Sequence, residues 1–215
     1  MTRDPVVPWV FGERPLPAVV ELAAALRDLT DTVLALEHTS PELEALVQTV
    51  RDAQRQLAAQ APADLRPRVG DDPDDDRRVY VDHGDAIGEY NPCFPRYTLD
   101  VGDDRAHGTV EFPISYEGPP GIVHGGFLAV FFDCALQELN CALGLAGKTA
   151  ELSLRFRRPA PLLTPLAFRI ERVVDERRIT AHAELFDDDD LLCEAHMVAA
   201  KGDRAALPAV SARRS

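Results

Sequence analysis

The stretch His124-Gly-Gly-Phe-Leu-Ala-Val-Phe-Phe-Asp-Cys-Ala-Leu-Gln-Glu-Leu-Asn-Cys-Ala-Leu-Gly-Leu145 decides the fold. It contains no proline and reads as one helix at 100° per residue. With Asp133 as the origin of the wheel, Gly126, Ala129, Val130, Gln137, Asn140 and Gly144 fall on its side. The opposite side carries Phe127, Leu128, Phe131, Phe132, Ala135, Leu139, Ala142 and Leu143, interrupted only by Glu138. The bulky apolar face needs a sheet to cover it. The small polar face, with a carboxylate at its centre, suits close approach by a second subunit or a ligand. The segment is long enough to cross a bilayer, but Asp133 and Glu138 lie in mid-helix, where a charge in lipid is expensive. A helix wrapped by a curved sheet is the expectation.

Strand-like runs lie on both sides of it. Tyr97–Val101 and Gly108–Ile114 alternate, with Asp103-Asp104 available for the turn between them. After the helix come Ala150–Phe156, Leu166–Val174, Ile179–Phe186 and Leu192–Ala200, with Glu176-Arg177 and Asp187–Asp190 at the hairpin turns. One long helix among antiparallel strands gives the α+β class. Upstream, from Pro17, Val20, Leu22, Ala23, Leu26, Leu29, Val33 and Leu34 recur at helical spacing. Ser40-Pro41-Glu42 then reads as a cap, a first-turn proline and an acidic start for a second helix reaching about Gln60. The two together predict an N-terminal helical hairpin that docks on the main domain. Residues 61–76, with Pro62, Pro67, Pro73 and the five aspartates at 71–76, read as a linker. The chain therefore divides into an extension and acidic linker (1–76), a main domain (77–205) and a disordered tail (206–215).

Among 215 residues, 23 are Lys or Arg and 36 are Asp or Glu, a net charge of −13. That balance excludes a general nucleic-acid partner and a polybasic membrane contact. No opening segment has the signal-peptide pattern, so a cytoplasmic location is expected. Cys93, Cys134, Cys141 and Cys193 form no C-x-x-C pair and read as reduced thiols. The aspartates at 71–76 lack the glycine and terminal glutamate of a calcium loop, and the histidines lack metal-ligand spacing, so no metal is expected. No Gly-x-Ser-x-Gly elbow is present, which argues against a serine hydrolase.

Chemistry concentrates at the start of the long helix. Gly125 and Gly126 lie in the first turn, where backbone N–H groups have no intrahelical acceptor and the dipole is positive. Such groups stabilise a developing oxyanion, and the missing side chains let a carbonyl approach. Asp133 is eight residues past Gly125, about 12 Å along the axis. If both serve one site, the simplest geometry takes Asp133 from a second copy packed across a two-fold axis.

The motif Gly118-Pro-Pro-Gly-Ile-Val-His-Gly-Gly126, with Asp133 nine positions after His124, resembles the hotdog-fold acyl-CoA thioesterases of the PaaI-like group. The likeness continues through Thr149 and Leu152-Ser-Leu-Arg-Phe-Arg-Arg-Pro159, covers residues 85–202 and leaves out the N-terminal helices. It implies a curved antiparallel sheet around one central helix, and hydrolysis of an acyl-CoA thioester by a homodimer or dimer of dimers. Asp133 is then base or nucleophile, the Gly125 N–H holds the thioester carbonyl, and His124 shapes that corner. Thr149 faces the carboxylate or its water, and Asn91 is a further catalytic candidate, although the glycine that usually follows it is missing. Gly126 and Gln137 are candidates for substrate binding. Arg157 and Arg158 are candidates for the CoA phosphates, because residues 148–178 carry eight basic groups against four acidic ones. No cofactor is implied beyond the CoA of the substrate. The alternatives are a hotdog protein that binds acyl-CoA without turnover or assembles with a partner and, more distantly, an enoyl-CoA hydratase. For the latter, Gly84-Asp85 and Asn91-Pro92 stand too far apart and no histidine follows.

Overall fold

A computed structural model describes residues 6–72, 74–203 and 206–214. Met1–Pro5 of the opening stretch, Pro73 of the linker, Arg204 and Ala205 at the domain boundary, and Ser215 of the tail lie outside the described residues. The elements in chain order are helix α1 (Pro17–Leu34), α2 (Pro41–Ala58), the single turn α3 (Ile87–Tyr90), β1 (Asp100–Val101), β2 (Arg105–Val110), a 3-10 turn (Ile114–Tyr116), α4 (Gly125–Ala142), β3 (Gly147–Phe156), β4 (Leu166–Val174), β5 (Arg178–Asp187) and β6 (Asp190–Lys201).

The six strands form one antiparallel sheet in the order β1-β2-β4-β5-β6-β3. Strands β4, β5 and β6 alternate by the two-residue period. Leu166, Phe168 and Ile170 of β4 and Ile179, Ala181, Ala183 and Leu185 of β5 are buried, as are Cys193, Ala195, Met197 and Ala199 of β6. Against this face lies α4, whose Phe131, Phe132, Ala135, Leu136 and Leu139 are fully buried. Small alanines on the sheet leave room for large side chains on the helix, so the two surfaces interdigitate. Each such Phe or Leu contributes about 1.5–3 kcal/mol on burial. Phe131 sits at the centre, with Phe112 at 5.6 Å, Tyr97 at 5.7 Å and Phe168 at 5.2 Å, all edge-on. This is the hotdog arrangement, a sheet wrapped around one helix, with N-terminal helices appended.

Two elements differ from the sequence expectation. The run Tyr97–Val101 pairs as a regular strand only at Asp100 and Val101, with a single bridge from Tyr97 to Val110. The run to Ile114 ends at Val110, and the chain then turns through the 3-10 segment that Pro113 precedes. The turn at Asp103-Asp104 forms as expected, with Asp104 at φ 67°, a conformation that Asp tolerates better than most residues.

The N-terminal helices follow the expected order but only one docks. In α1, Ala23 and Arg27 are buried, and the helix packs on α3 and the 3-10 turn. Arg27 donates to the carbonyls of Gly88 (2.7 Å), Asn91 (3.1 Å) and Phe94 (3.0 Å), bracing the loop that carries Asn91. In α2, Ser40 caps the N-terminus as predicted by accepting from Leu43 N–H, but no residue of the helix is buried. The hairpin is therefore one of sequence order, not of two helices jointly covering the domain.

The segment before α1 closes the far end of α4. Trp9 is buried and its N–H donates to the Cys141 carbonyl at 2.8 Å, satisfying a carbonyl in the last turn of α4. Gly144, at φ 72°, ends the helix there, and a side chain on it would strike the Val7 carbonyl. The tail residues do not stand apart from the fold: Val210 bridges Val69, and Arg68 donates to the Ala212 carbonyl at 2.6 Å.

Candidate active site

His124 caps α4. Its backbone is extended (φ −65°, ψ 130°), and its Nδ1 accepts from the Gly126 N–H at 3.0 Å. The proton of the neutral ring therefore sits on Nε2, which faces away from the helix. Gly126 thus spends its N–H on the cap. The N–H groups of Phe127 and Leu128 both reach the His124 carbonyl. That leaves Gly125 as the first-turn residue whose N–H has no acceptor among the described residues.

Gly125 lines a groove of 490 Å³ with Ile122, Leu128, Phe156, Arg157 and Arg158. A Cβ on Gly125 would stand 2.9 Å from Phe156 Cζ, so a side chain here would have to displace the end of that exposed ring. Arg157 is paired with Glu194, and Arg158 with Asp190 at 2.6 Å. Both are surface pairs, each worth about 0–1 kcal/mol, so exchanging them for a phosphate costs little.

Two turns along α4, Asp133 is half-buried and faces β3, where the Thr149 hydroxyl donates to its Oδ1 at 2.7 Å. Thr149 in turn accepts from Gln137 Nε2 at 2.9 Å, and Gln137 Oε1 accepts from Asn140 Nδ2 at 3.3 Å. Gln137, expected to bind substrate, therefore has both ends of its amide engaged inside the protein. Beyond Asn140 the chain of bonds continues to Arg172 Nη1 (3.1 Å), whose Nε donates to Asp104 (3.0 Å). The i, i+4 and i, i+7 spacing of Asp133, Gln137 and Asn140 was legible as one helix face. Arg172 was counted only among the basic groups of 148–178, although it continues the inward series Leu166, Phe168 and Ile170 of β4.

Asn91 ends α3, and its Oδ1 accepts from the Cys93 N–H at 2.9 Å, an Asx turn. The fold does not bring it into hydrogen-bond reach of Asp133 or Gly125 among the described contacts.

On the other side of α4, the Glu138 carboxylate accepts from the Tyr97 hydroxyl. Burial pushes the Glu138 carboxyl above its usual range, with the bond from Tyr97 opposing and Asp85 and Glu89 adding to the rise. The folded protein therefore holds this proton to higher pH than the unfolded chain, and stability falls as pH rises through that window. Glu138→Gln keeps an acceptor for Tyr97 and removes the ionisation. Its melting temperature is expected to exceed the parent's at pH 8, the gap closing toward pH 4.5. A parent that melts higher at pH 8 would contradict this.

Burial also raises the thiols, Cys134 to about 11 and Cys141 and Cys193 to about 12, so these three are protonated core residues rather than nucleophiles. His182, Glu184 and Glu194 come within 4.8 Å of one another on the outer face of β5 and β6, a cluster that cross-strand register creates and sequence spacing does not reveal. Glu184 and Glu194 are held by Arg169 and Arg157, which already balance the like charges. No helix among the described residues is long and apolar enough to cross a membrane.

A scan against protein-family models finds no match. Among solved structures, the chain is similar to a thioesterase superfamily protein at 30% identity, over 92% of this chain and 98% of that one, with a TM-score of 0.71. It is also similar to a hypothetical thioesterase from Streptococcus pneumoniae TIGR4 crystallised with coenzyme A (20% identity, 49% and 88% covered, TM-score 0.47). A phenylacetic acid degradation-related thioesterase from Ralstonia eutropha JMP134 gives 22% identity, 48% and 83% covered, and a TM-score of 0.44.

Proposed function

The chain belongs to the hotdog-fold thioesterase superfamily, and from that premise we propose that it hydrolyses an acyl-CoA thioester to the free acid and CoA. The observation that carries this reading is the state of Asp133: one carboxylate oxygen is held by Thr149 and the other has no partner among the described residues. A half-buried carboxylate oriented in this way can take a proton from water or attack a carbonyl itself. In the first course, the water oxygen bonds to the thioester carbon while Asp133 takes its proton. The oxyanion accepts from the Gly125 N–H, and collapse breaks the C–S bond. The leaving thiolate recovers the proton from Asp133.

The 12 Å or so between Gly125 and Asp133 along one helix favours a site shared between two copies. Two exposed features support that arrangement. Strand β3 is ten residues long and stands at the edge of the sheet with Thr149, Ala150, Glu151, Ser153 and Arg155 exposed, an unprotected edge that invites pairing. Phe127 and Val130 of α4 are 39% and 52% exposed. A second copy meeting β3 and α4 would cover both and bring its Asp133 toward Gly125. The groove from Gly125 to Arg157 and Arg158 then suits the CoA, thioester at the helix and phosphates at the arginines.

The test is release of free thiol from short, long and aryl acyl-CoAs. Turnover on at least one class is expected, with no added metal. Tight acyl-CoA binding without thiol release on any of them would overturn hydrolysis and leave a binding protein.

A further inference from the structure

Asn140 and Arg172 are the polar residues buried between α4 and the sheet, at 0% and 8% exposure. Neither can touch a substrate bound at Asp133. We propose that they are positioning residues: Arg172 sets the direction of a five-bond chain so that the single hydroxyl hydrogen of Thr149 must point at Asp133. This rests on Asp133 being the catalytic carboxylate.

The argument is one of donors and acceptors. A guanidinium only donates, so the atom of Asn140 facing Arg172 is its carbonyl oxygen. The amide nitrogen of Asn140 then faces Gln137, which must present its oxygen. Gln137 is left with its nitrogen toward Thr149, and the Thr149 oxygen accepts from it. The one hydrogen of that hydroxyl remains, and it goes to Asp133 Oδ1 at 2.7 Å, a far stronger acceptor than the Met197 sulfur at 3.7 Å. Each amide could flip by itself, and two flips would leave Thr149 donating to Gln137 and Asp133 without its donor. Arg172 prevents this because it has no acceptor to offer. It is anchored in turn by Asp104, on the β1–β2 turn, whose carbonyl also accepts from the Arg172 N–H at 3.0 Å. A buried polar network of this kind is justified only when every member is satisfied in one sense, and here one sense alone is available.

Asn140→Asp tests it with almost no change of shape. The new carboxylate still accepts from Arg172 but can no longer donate, so Gln137 must turn its nitrogen inward and its oxygen to Thr149. The expected result is a fall in kcat of about tenfold with KM within twofold, the loss of one charge-assisted bond at the carboxylate. In a Thr149→Ala background the same substitution is expected to cost nothing further, because the link through which it acts is gone. Arg172→Met, which removes the donor to Asn140 Oδ1 and the partner of the half-exposed Asp104, frees the Asn140 amide to turn and serves if the aspartate variant folds poorly, with a smaller fall in kcat and the same dependence on Thr149. Equal losses in both backgrounds, or an unchanged kcat in both variants, would overturn the proposal. A readout free of activity separates this from failure of the thioesterase reading: the side-chain amide protons of Gln137 show NMR contacts to Thr149 in the parent and lose them in Asn140→Asp. Retained contacts in that variant refute the relay even if no substrate is ever turned over. Lost contacts in a protein that releases no thiol support the relay while refuting its catalytic use.

Discussion

Asp133→Asn is expected to reduce thiol release from acyl-CoA by about 10²–10⁴-fold, the range a positioned general base contributes. The substitution is close to isosteric, and the Thr149 hydroxyl fixes which way the new amide turns. Its carbonyl takes the place of Oδ1 as acceptor, and the NH2 falls where the free carboxylate oxygen stood. What is lost is a basic, nucleophilic oxygen, and what replaces it is a donor that can do neither task. Gln137, Asn140 and the fully buried Phe131, Phe132 and Leu136 around this turn of α4 keep their partners, so melting temperature and oligomeric state are expected to hold. KM should change little, because a group that acts on the water or the reacting carbon contributes mainly in the transition state. A variant with the full parental rate would remove Asp133 from the mechanism.

The sequence made the helix face and the capped start of α4 readable, because both depend on local pattern. Spacing alone puts Asp133, Gln137 and Asn140 on one side of α4, and His124-Gly-Gly marks its capped start. Roles that depend on register were hidden. Gln137 read as a substrate contact, but whether its amide is free depends on Thr149 standing opposite, which β3 decides by pairing with β6 at Thr149–Ala199. Arg172 read as one of eight basic groups near a phosphate site. The period-two alternation of β4 turns it inward, and only the packing of α4 against the sheet brings it to Asn140. Arg27 lay within an apolar helical stripe, and no local rule says that an arginine there braces the carbonyls of a loop some sixty residues on. The same stripe logic predicted a second packed helix from Pro41 to about Gln60, yet α2 buries none of its residues, and it is α1 that packs beside α3.

Gly125→Pro is expected to lower kcat by about 10²–10³-fold, the usual cost of deleting one oxyanion donor. Gly125 is the first residue of α4, the position where proline is favoured, and His124 before it is extended, as a residue preceding proline must be. The N–H removed is the one that no described residue accepts from, so the helix gives up no bond of its own. A Cβ at 125 meets the Phe156 ring, but that ring is 57% exposed and can swing into solvent. Gly125→Ala brings the same Cβ while keeping the N–H, and so isolates the donor: it should retain most of the rate that proline abolishes. Combining the two inactive variants then tests whether the site is shared. In a dimer of one Asp133→Asn chain and one Gly125→Pro chain, a site built across the interface pairs the intact Gly125 of the first with the intact Asp133 of the second, and the other site is doubly defective. Random pairing makes half the dimers mixed and half of their sites sound, so co-expression is expected to restore about a quarter of the parental rate. If each site belonged to a single protomer, every site in the mixture would carry one defect and no activity would return. Failure of complementation with intact dimers would therefore place both groups within one chain, against the 12 Å or so that α4 sets between them.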